Sequence, residues 1–257
     1  MTAKPGQFVW YDVMTTDVPA AQSFYEQVVG WKANDSGMPG QTYILLSAGS
    51  AMVGGVMPIP DEAKAMGAGP CWTGYIAVDD VDVSADRVKQ SGGTVHRAPA
   101  DIPGVGRFAV VADPHGAVFI VFKGAGEAPP APTPGTPGTV GWHELRAGDG
   151  ESDFAFYANL FGWTKLDAMD MGPMGKYQIF STGDGHPTGG IMTKSADTPM
   201  PFWLYYFNVD AIDAAGARVK KAGGSVSDGP MEVPGGSWIV HCIDPQGAMF
   251  ALVAPRK

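Results

Sequence analysis

Apolar residues in this chain follow two rhythms, short β-branched and aromatic runs and longer stretches with apolar positions three and four residues apart. Phe8–Met14 has strand composition. Asp17 follows as a helix N-cap with Pro19 in the first turn, where its missing N–H is not needed. Ala20, Phe24 and Val28 lie on an apolar stripe at helical spacing, and Gly30 stops the helix. Strands are expected near Tyr43–Ser47, Ala51–Met57 and Thr73–Val78. The last leads into a helix opened by Asp80 or Asp82 and closed by Gly92-Gly93. Arg107–Ala112 and Val118–Phe122 then flank an Asp113-Pro-His-Gly116 turn. The pattern reads β-α-β-β-β twice over, which predicts a mixed or antiparallel sheet with helices on one face. The other face is free to curl around a cavity.

The remainder of the chain repeats this. Asp17–Trp31 matches Asp149–Trp163 through a shared Phe-Tyr and Gly-Trp, with Phe24 matching Phe156. Val53-Gly-Gly-Val-Met57 returns as Thr188-Gly-Gly-Ile-Met192, and Val78–Asp82 as Val209–Asp213. Asp113-Pro-His-Gly-Ala117 returns as Asp244-Pro-Gln-Gly-Ala248. Four blocks in one order mark a tandem duplication, with a period too long for a solenoid. The expected organisation is a first domain over residues 1–123, a linker over 124–138 and a second domain over 139–257. Proline recurs through the linker, which excludes a helix or central strand and favours extended polyproline geometry. The two copies can then pack side by side, a covalent version of a homodimer.

Charge narrows the partners. The net charge is −9 at pH 7, and the basic residues cluster no further than Lys220-Lys221 and Arg256-Lys257. A nucleic-acid footprint is therefore not expected, and an acidic surface repels anionic membranes. Met1–Gln7 lacks the apolar core of a secretion signal and no apolar run would span a bilayer, so a soluble cytoplasmic protein is expected, a monomeric pseudo-dimer or a homodimer. Cys71 and Cys242 occupy non-equivalent places without a C-x-x-C motif and read as buried free thiols. The paired Gly54-Gly55 and Gly189-Gly190 lack the context of a phosphate loop and read as sites for a bulge.

The blocks together resemble the vicinal-oxygen-chelate (glyoxalase/bleomycin resistance/dioxygenase) superfamily. The carriers are Asp then Ala-x-x-Phe-Tyr-x-x-x-x-Gly-Trp in the first helix, Val-Asp-Asp before the second, and Asp-Pro-x-Gly before the last strand. The resemblance implies an α+β fold: two glyoxalase-like domains, each of paired βαβββ modules forming a cupped mixed sheet with ligand in the concavity. It also implies four inward metal-ligand positions per copy, usually His or Glu. Here they fall on Trp10, Thr73 and Ile120 in the first copy and Trp142, Leu204 and Ala251 in the second. The remaining position falls near Leu45 or Leu46, and near Ile179 or Phe180. None is His, Asp or Glu, so neither metal nor other cofactor is expected.

Alternation then places Asp12 beside Trp10 and Glu144 beside Trp142, with Tyr75, Tyr206 and Phe122 beside Thr73, Leu204 and Ile120. An apolar pocket with one carboxylate is the usual make-up of a small-molecule site. Asp12 and Glu144 are candidate general bases, or carboxylates held by backbone or by an arginine such as Arg146 or Arg107. His96, His115, His143, His186 and His241 do not recur between copies; alternation turns His143 away from Glu144, while His241 reaches a cup edge at most. Met38, Met169, Met171 and Met174 sit in loops, as a lid over an apolar ligand or as ordinary loop packing. Three functions are consistent with this: a binding protein for a small apolar or aromatic molecule; a metal-independent isomerase, lyase or hydroxylase-like enzyme with Asp12 or Glu144 as base; and a metal-dependent glyoxalase or ring-cleaving dioxygenase with relocated ligands. Whether cups form within each copy or by exchange between copies is left open by the pattern.

Overall fold

The computed structural model describes residues 4–127 and 132–255. The first repeat runs β1 (Phe8–Thr15), α1 (Val18–Val28), β2 (Lys32–Asp35), β3 (Ile44–Ala48), β4 (Ala51–Pro58), α2 (Asp61–Ala65), β5 (Cys71–Ala77), α3 (Val81–Gln90), β6 (Thr94–Ile102), β7 (Gly106–Ala112) and β8 (Val118–Gly124). The second runs β9 (Val140–Ala147), α4 (Gly150–Phe161), β10 (Thr164–Asp170), β11 (Lys176–Ser181), β12 (Gly189–Thr193), β13 (Phe202–Asn208), α5 (Ile212–Lys221), β14 (Ser225–Glu232), β15 (Trp238–Ile243) and β16 (Met249–Ala254). Each repeat contributes one eight-stranded mixed sheet, ordered β2-β3-β4-β1-β5-β8-β7-β6 and β10-β11-β12-β9-β13-β16-β15-β14. Within them β1 and β4, β5 and β8, β9 and β12, and β13 and β16 run parallel. The fold class is α+β, two like modules in tandem.

Local chemistry starts and stops the helices. Asp17 accepts from the Ala20 amide at 3.0 Å and Asp149 from the Ser152 amide at 2.8 Å, while Gly162 ends α4 in the left-handed region. Asp80, not Asp82, caps α3, accepting from the Val83 amide at 3.0 Å. Asp82 instead pairs with Arg107 Nε at 2.7 Å. At the start of α5 the equivalent position is Ala211, which has no side-chain cap.

Compactness does not follow the repeats. One compact unit comprises Met1–Trp10, Thr73–Pro130 and Trp142–Trp203; the other comprises Tyr11–Trp72, Ala131–Gly141 and Leu204–Lys257. Each unit therefore draws chain from both repeats. In the second unit Tyr25 of α1 donates to Asp244 Oδ2 at 2.9 Å and accepts from Trp72 Nε1 at 2.8 Å. In the first unit Tyr157 of α4 donates to Asp113 Oδ2 at 3.2 Å and accepts from Trp203 Nε1 at 3.1 Å. The other carboxylate oxygen of Asp113 accepts the amides of His115, Gly116 and Ala117, and that of Asp244 the amides of Gln246, Gly247 and Ala248. The Phe-Tyr and Asp-Pro-x-Gly blocks of opposite repeats are thus hydrogen-bond partners inside one unit.

The Gly-Trp blocks follow the same exchange. Trp31 Nε1 donates to the Gly138 carbonyl at 2.7 Å and Trp163 Nε1 to the Gly6 carbonyl at 2.8 Å. Around these bonds one unit packs Phe24, Tyr25, Trp31, Trp72, Phe207 and Phe250, while in the other Trp163 stacks on Phe180 at 4.5 Å. Part of the expected linker, Ala128–Ala131, lies outside the described residues. Its end is not extended, because the Thr136 amide bonds the Thr133 carbonyl at 3.1 Å and the Gly138 amide the Asn208 carbonyl at 2.7 Å. Among the described residues no helix is long and apolar enough to cross a membrane.

Candidate functional site

The carboxylates on β1 and β9 each meet a tyrosine at the start of the strand after next, Tyr43 just before β3 and Tyr177 within β11. Tyr43 donates to Asp12 Oδ1 at 2.7 Å and Tyr177 to Glu144 Oε2 at 3.0 Å. Register makes the two tyrosines equivalent: Leu45 pairs with Gly55, and Ile179 with Gly190, each two residues after its tyrosine. Gly54 and Gly189 are excluded from carrying a side chain by the carbonyls of Tyr11 and His143, and Gly55 and Gly190 by the tyrosines themselves. A register shift beside the first glycine pair gives the expected bulge in β3–β4 only. Ring packing over a glycine, not sheet bending, is common to both copies.

The two dyads differ in their surroundings. Both carboxylates are buried, Asp12 at 2% and Glu144 at 5% exposure. Glu144 Oε1 also pairs with Arg146 Nε at 2.6 Å, and Trp142 Nε1 donates to the Tyr177 hydroxyl at 2.7 Å. Trp142, Glu144 and Arg146 thus share one face of β9 with Tyr177 at its centre. Burial, then the Glu144 charge, holds the Tyr177 hydroxyl protonated well above the usual tyrosine range. The position matching Arg146 is Met14.

Four more of the expected residues meet in the first unit: Tyr75, Ile120 and Phe108 form a buried cluster against which Val9, Trp10, Val110 and Phe122 pack. Phe122 meets the Tyr75 ring edge-on at 5.8 Å. In the second unit Tyr206 pairs in register with Ala251, and its hydroxyl lies 2.9 Å from His241 Nε2. Thr73 and Leu204 are buried on β5 and β13. Sequence reasoning missed Tyr43 and Tyr177, whose one signal was their common position 12 or 13 residues before the second glycine of each pair.

The positions implied for metal ligands do not fit a metal. Of these positions, Trp10, Thr73, Ile120, Trp142 and Ile179 in the first unit offer one hydroxyl oxygen, Leu45, Leu204 and Ala251 in the second offer none, and an indole N–H only donates. Leu46 and Phe180 lie on the opposite strand face, with Phe180 stacked on Trp163. Among the described residues no three His, Cys, Asp or Glu side chains are grouped to hold an ion.

The remaining titratable groups have other roles. His143 stacks on Phe8 at 4.1 Å and bonds the Thr188 carbonyl through Nδ1 at 2.9 Å; burial pushes its imidazole down to about 4. His115 Nδ1 lies 2.6 Å from Asp153, whose carboxylate raises its pKa. Arg107, raised as a possible partner for Asp12 or Glu144, bonds Asp82 and Asp101 instead. His96 and His186 are exposed, and burial pushes the Cys242 thiol up to about 12. Cys71 is half-buried, short of the burial expected for it. An open depression of about 340 Å³ at the ends of β6–β8, lined by Asp101, Arg107 and Lys123, includes none of the expected site residues.

A family model described as Glyoxalase/Bleomycin resistance protein/Dioxygenase superfamily matches residues 7–121 and again 139–252. The chain is 34% identical over 252 residues to CFP32 of Mycobacterium tuberculosis, which carries a glyoxylase name, covering 96% of this chain and 94% of that protein. It is 33% identical over 266 residues to the anthracycline biosynthesis protein DnrV of Streptomyces peucetius, covering 98% and 94%. Among solved structures it is similar to the Mn(II)-bound glyoxalase of Novosphingobium aromaticivorans, at a TM-score of 0.67 and 17% identity over 99% of this chain and 83% of that one. The 2,3-dioxygenase LapB of Pseudomonas sp. KL28 gives 0.68 and 12% over 100% and 94%.

Proposed function

Because the chain belongs to the Glyoxalase/Bleomycin resistance protein/Dioxygenase superfamily, we propose that it binds a small aromatic or apolar organic molecule without a metal ion. The observation that carries this reading is the side-chain chemistry of the positions that hold metal in relatives of this scaffold: indole, aliphatic and one hydroxyl group. The walls that remain, Trp10, Tyr75, Ile120, Phe122 and Trp142 in the first unit and Leu204, Tyr206 and Ala251 in the second, suit stacking and apolar contact. Relatives named for anthracycline biosynthesis support a polycyclic aromatic ligand, since anthracyclines are flat and fused-ring. Equilibrium dialysis against Zn, Ni, Fe and Mn should leave no stoichiometric ion on the protein. Titration with an anthraquinone should quench tryptophan fluorescence saturably, and less so in Trp142→Phe. A retained stoichiometric ion would overturn the metal-free reading.

A second reading, a metal-independent enzyme, is favoured by the recurrence of one carboxylate–tyrosine dyad in both copies. In that case Asp12 or Glu144 acts as base. Loss of turnover with retained ligand affinity in Asp12→Asn supports the enzyme, and unchanged turnover removes Asp12 from that role.

A further inference from the structure

Tyr75, Ile120, Val110 and Arg97 form one row across β5, β8, β7 and the edge strand β6, each paired in register with the next. The first three belong, with Phe108, to the apolar cluster of the first unit, whose half-buried members Trp10, Val110 and Phe122 keep part of their surface open. Arg97 ends the row with a charge. Its guanidinium lies over the Phe108 ring, 5.0 Å from the ring centre. Three strand spacings of ~4.8 Å put it roughly 14 Å from Tyr75. A flat ligand lying along the row therefore has its rings on apolar positions and its far end at the guanidinium.

Every other described arginine donates to an oxygen: Arg87 to the Asn159 carbonyl, Arg107 to Asp82 and Asp101, Arg146 to Glu144, and Arg218 to Asp210 and the Val28 carbonyl. Among the described residues no carboxylate or carbonyl takes Arg97. A ring face attracts the cation and leaves N–H groups at the guanidinium edge, in a fork that matches a carboxylate. The chain carries a net charge of −9, so most of its surface repels an anion, and this exposed arginine beside an apolar face is a local exception. In the second repeat the same row, Tyr206, Ala251 and His241, ends on Asp228. The row forms with either sign at this place, so the positive charge is not a requirement of the sheet.

We propose that Arg97 selects, for the apolar face of the first unit, an aromatic ligand that bears a carboxylate. The inference rests on the aromatic-ligand reading above and adds the charge of the ligand to it. The rings pack against Phe108, Val110 and Ile120, and the carboxylate takes the open edge of the guanidinium while its face stays on Phe108. Asp228 at the matched place repels such a ligand, so the preference belongs to the row of the first repeat. No covalent bond forms or breaks.

The test uses the full-length protein with anthraquinone-2-carboxylate and anthraquinone-2-carboxamide, which share their rings and differ in charge. Quenching of tryptophan fluorescence gives both dissociation constants. The carboxylate should bind about fivefold tighter or more at low salt, and the advantage should shrink as salt is raised. Arg97→Gln should bring the ratio to about one, Arg97→Lys should keep part of the preference and Arg97→Glu should reverse it, with circular dichroism verifying each fold. Should a variant fail to fold, the ratio and its salt dependence in the unaltered protein decide the matter. A ratio near one in the unaltered protein, or a preference that survives Arg97→Gln, overturns the role of Arg97 and leaves the aromatic-ligand reading standing. Binding of neither compound, nor of the parent anthraquinone, overturns both.

Discussion

Replacing Tyr25 by phenylalanine deletes one oxygen and strands two buried partners. Its hydroxyl accepts from Trp72 Nε1 at 2.8 Å and donates to Asp244 Oδ2 at 2.9 Å, with Trp72, Tyr25 and Asp244 all at most 5% exposed. An indole N–H left without an acceptor costs ~1–3 kcal/mol, and a lost bond to a carboxylate about 1.5–3 kcal/mol. No water-sized volume is opened, so little is recovered by solvation. The sum is roughly 3–5 kcal/mol, a large share of a typical stability of ~5–15 kcal/mol. Urea denaturation followed by tryptophan fluorescence reads it as a lowered midpoint. The double variant Tyr25→Phe/Trp72→Phe removes the stranded donor as well, and should fall short of the summed single losses by at least ~1 kcal/mol. In the other unit the same bonds are 3.2 and 3.1 Å, so Tyr157→Phe should lose less. A Tyr25→Phe loss below ~0.5 kcal/mol, or strict additivity with Trp72→Phe, would refute the argument.

Two histidines should give stability opposite pH slopes. His143 is neutral in the fold and its imidazole sits at about 4 against 6.5 when free, so its stabilisation is complete above 6.5 and is lost as pH falls toward 4, by ~3 kcal/mol in all; His143→Phe should flatten the acid limb of a urea-midpoint profile. His115 has a raised pKa from Asp153, so its contribution is complete below 6.5 and is lost as pH climbs through the folded value; His115→Gln should flatten the neutral-to-alkaline limb. Gly54→Ala meets a backbone carbonyl that cannot retreat, whereas Gly55→Ala meets the side chains of Tyr43 and Asp12, which can shift only by disturbing their hydrogen bond, so thermal melts should show both as damaging and Gly54→Ala as the more so by about 1–3 kcal/mol. Arg146→Ala leaves Glu144 buried with its Tyr177 bond but without its cation, and a loss of ~3 kcal/mol in urea is expected, with Arg146→Ala/Glu144→Gln recovering much of it.

Helices α1 and α4, the last strands of each module and the repeat were legible, the helices because cap, stripe and stop agreed at Asp17, Phe24 and Gly30 and again at Asp149, Phe156 and Gly162. Strands β2 and β6 were not. Lys32–Asp35 is a four-residue polar edge strand, and Thr94–Ile102 lacks a clean two-residue alternation and shifts register twice. Helix α2, without a side-chain cap or buried residue, leaves no apolar stripe to read. The face carrying Trp142 and Glu144 could be deduced by alternation, and Arg146 is one of the two arginines the sequence offers as a partner, Arg107 being the other. Tyr177 and Tyr43 could not, because a loop of variable length sets their position and only strand register brings them over a glycine. Asp113 and Asp244 read as turn residues; that their second oxygens serve tyrosines of the opposite repeat depends on contacts more than forty residues distant along the chain, 44 and 219.

The exchange of partners between repeats bears on how such a chain behaves when it is severed. Cleaved anywhere from residue 124 to 138, it yields an amino-terminal piece with Tyr25 but no Asp244, and a carboxy-terminal piece with Tyr157 but no Asp113. Each fragment is one half of a complementation system, in which ordered tyrosine rings report reunion and nothing short of reunion. A gene encoding a single repeat would face the same demand and could meet it only by finding a second copy of its own product.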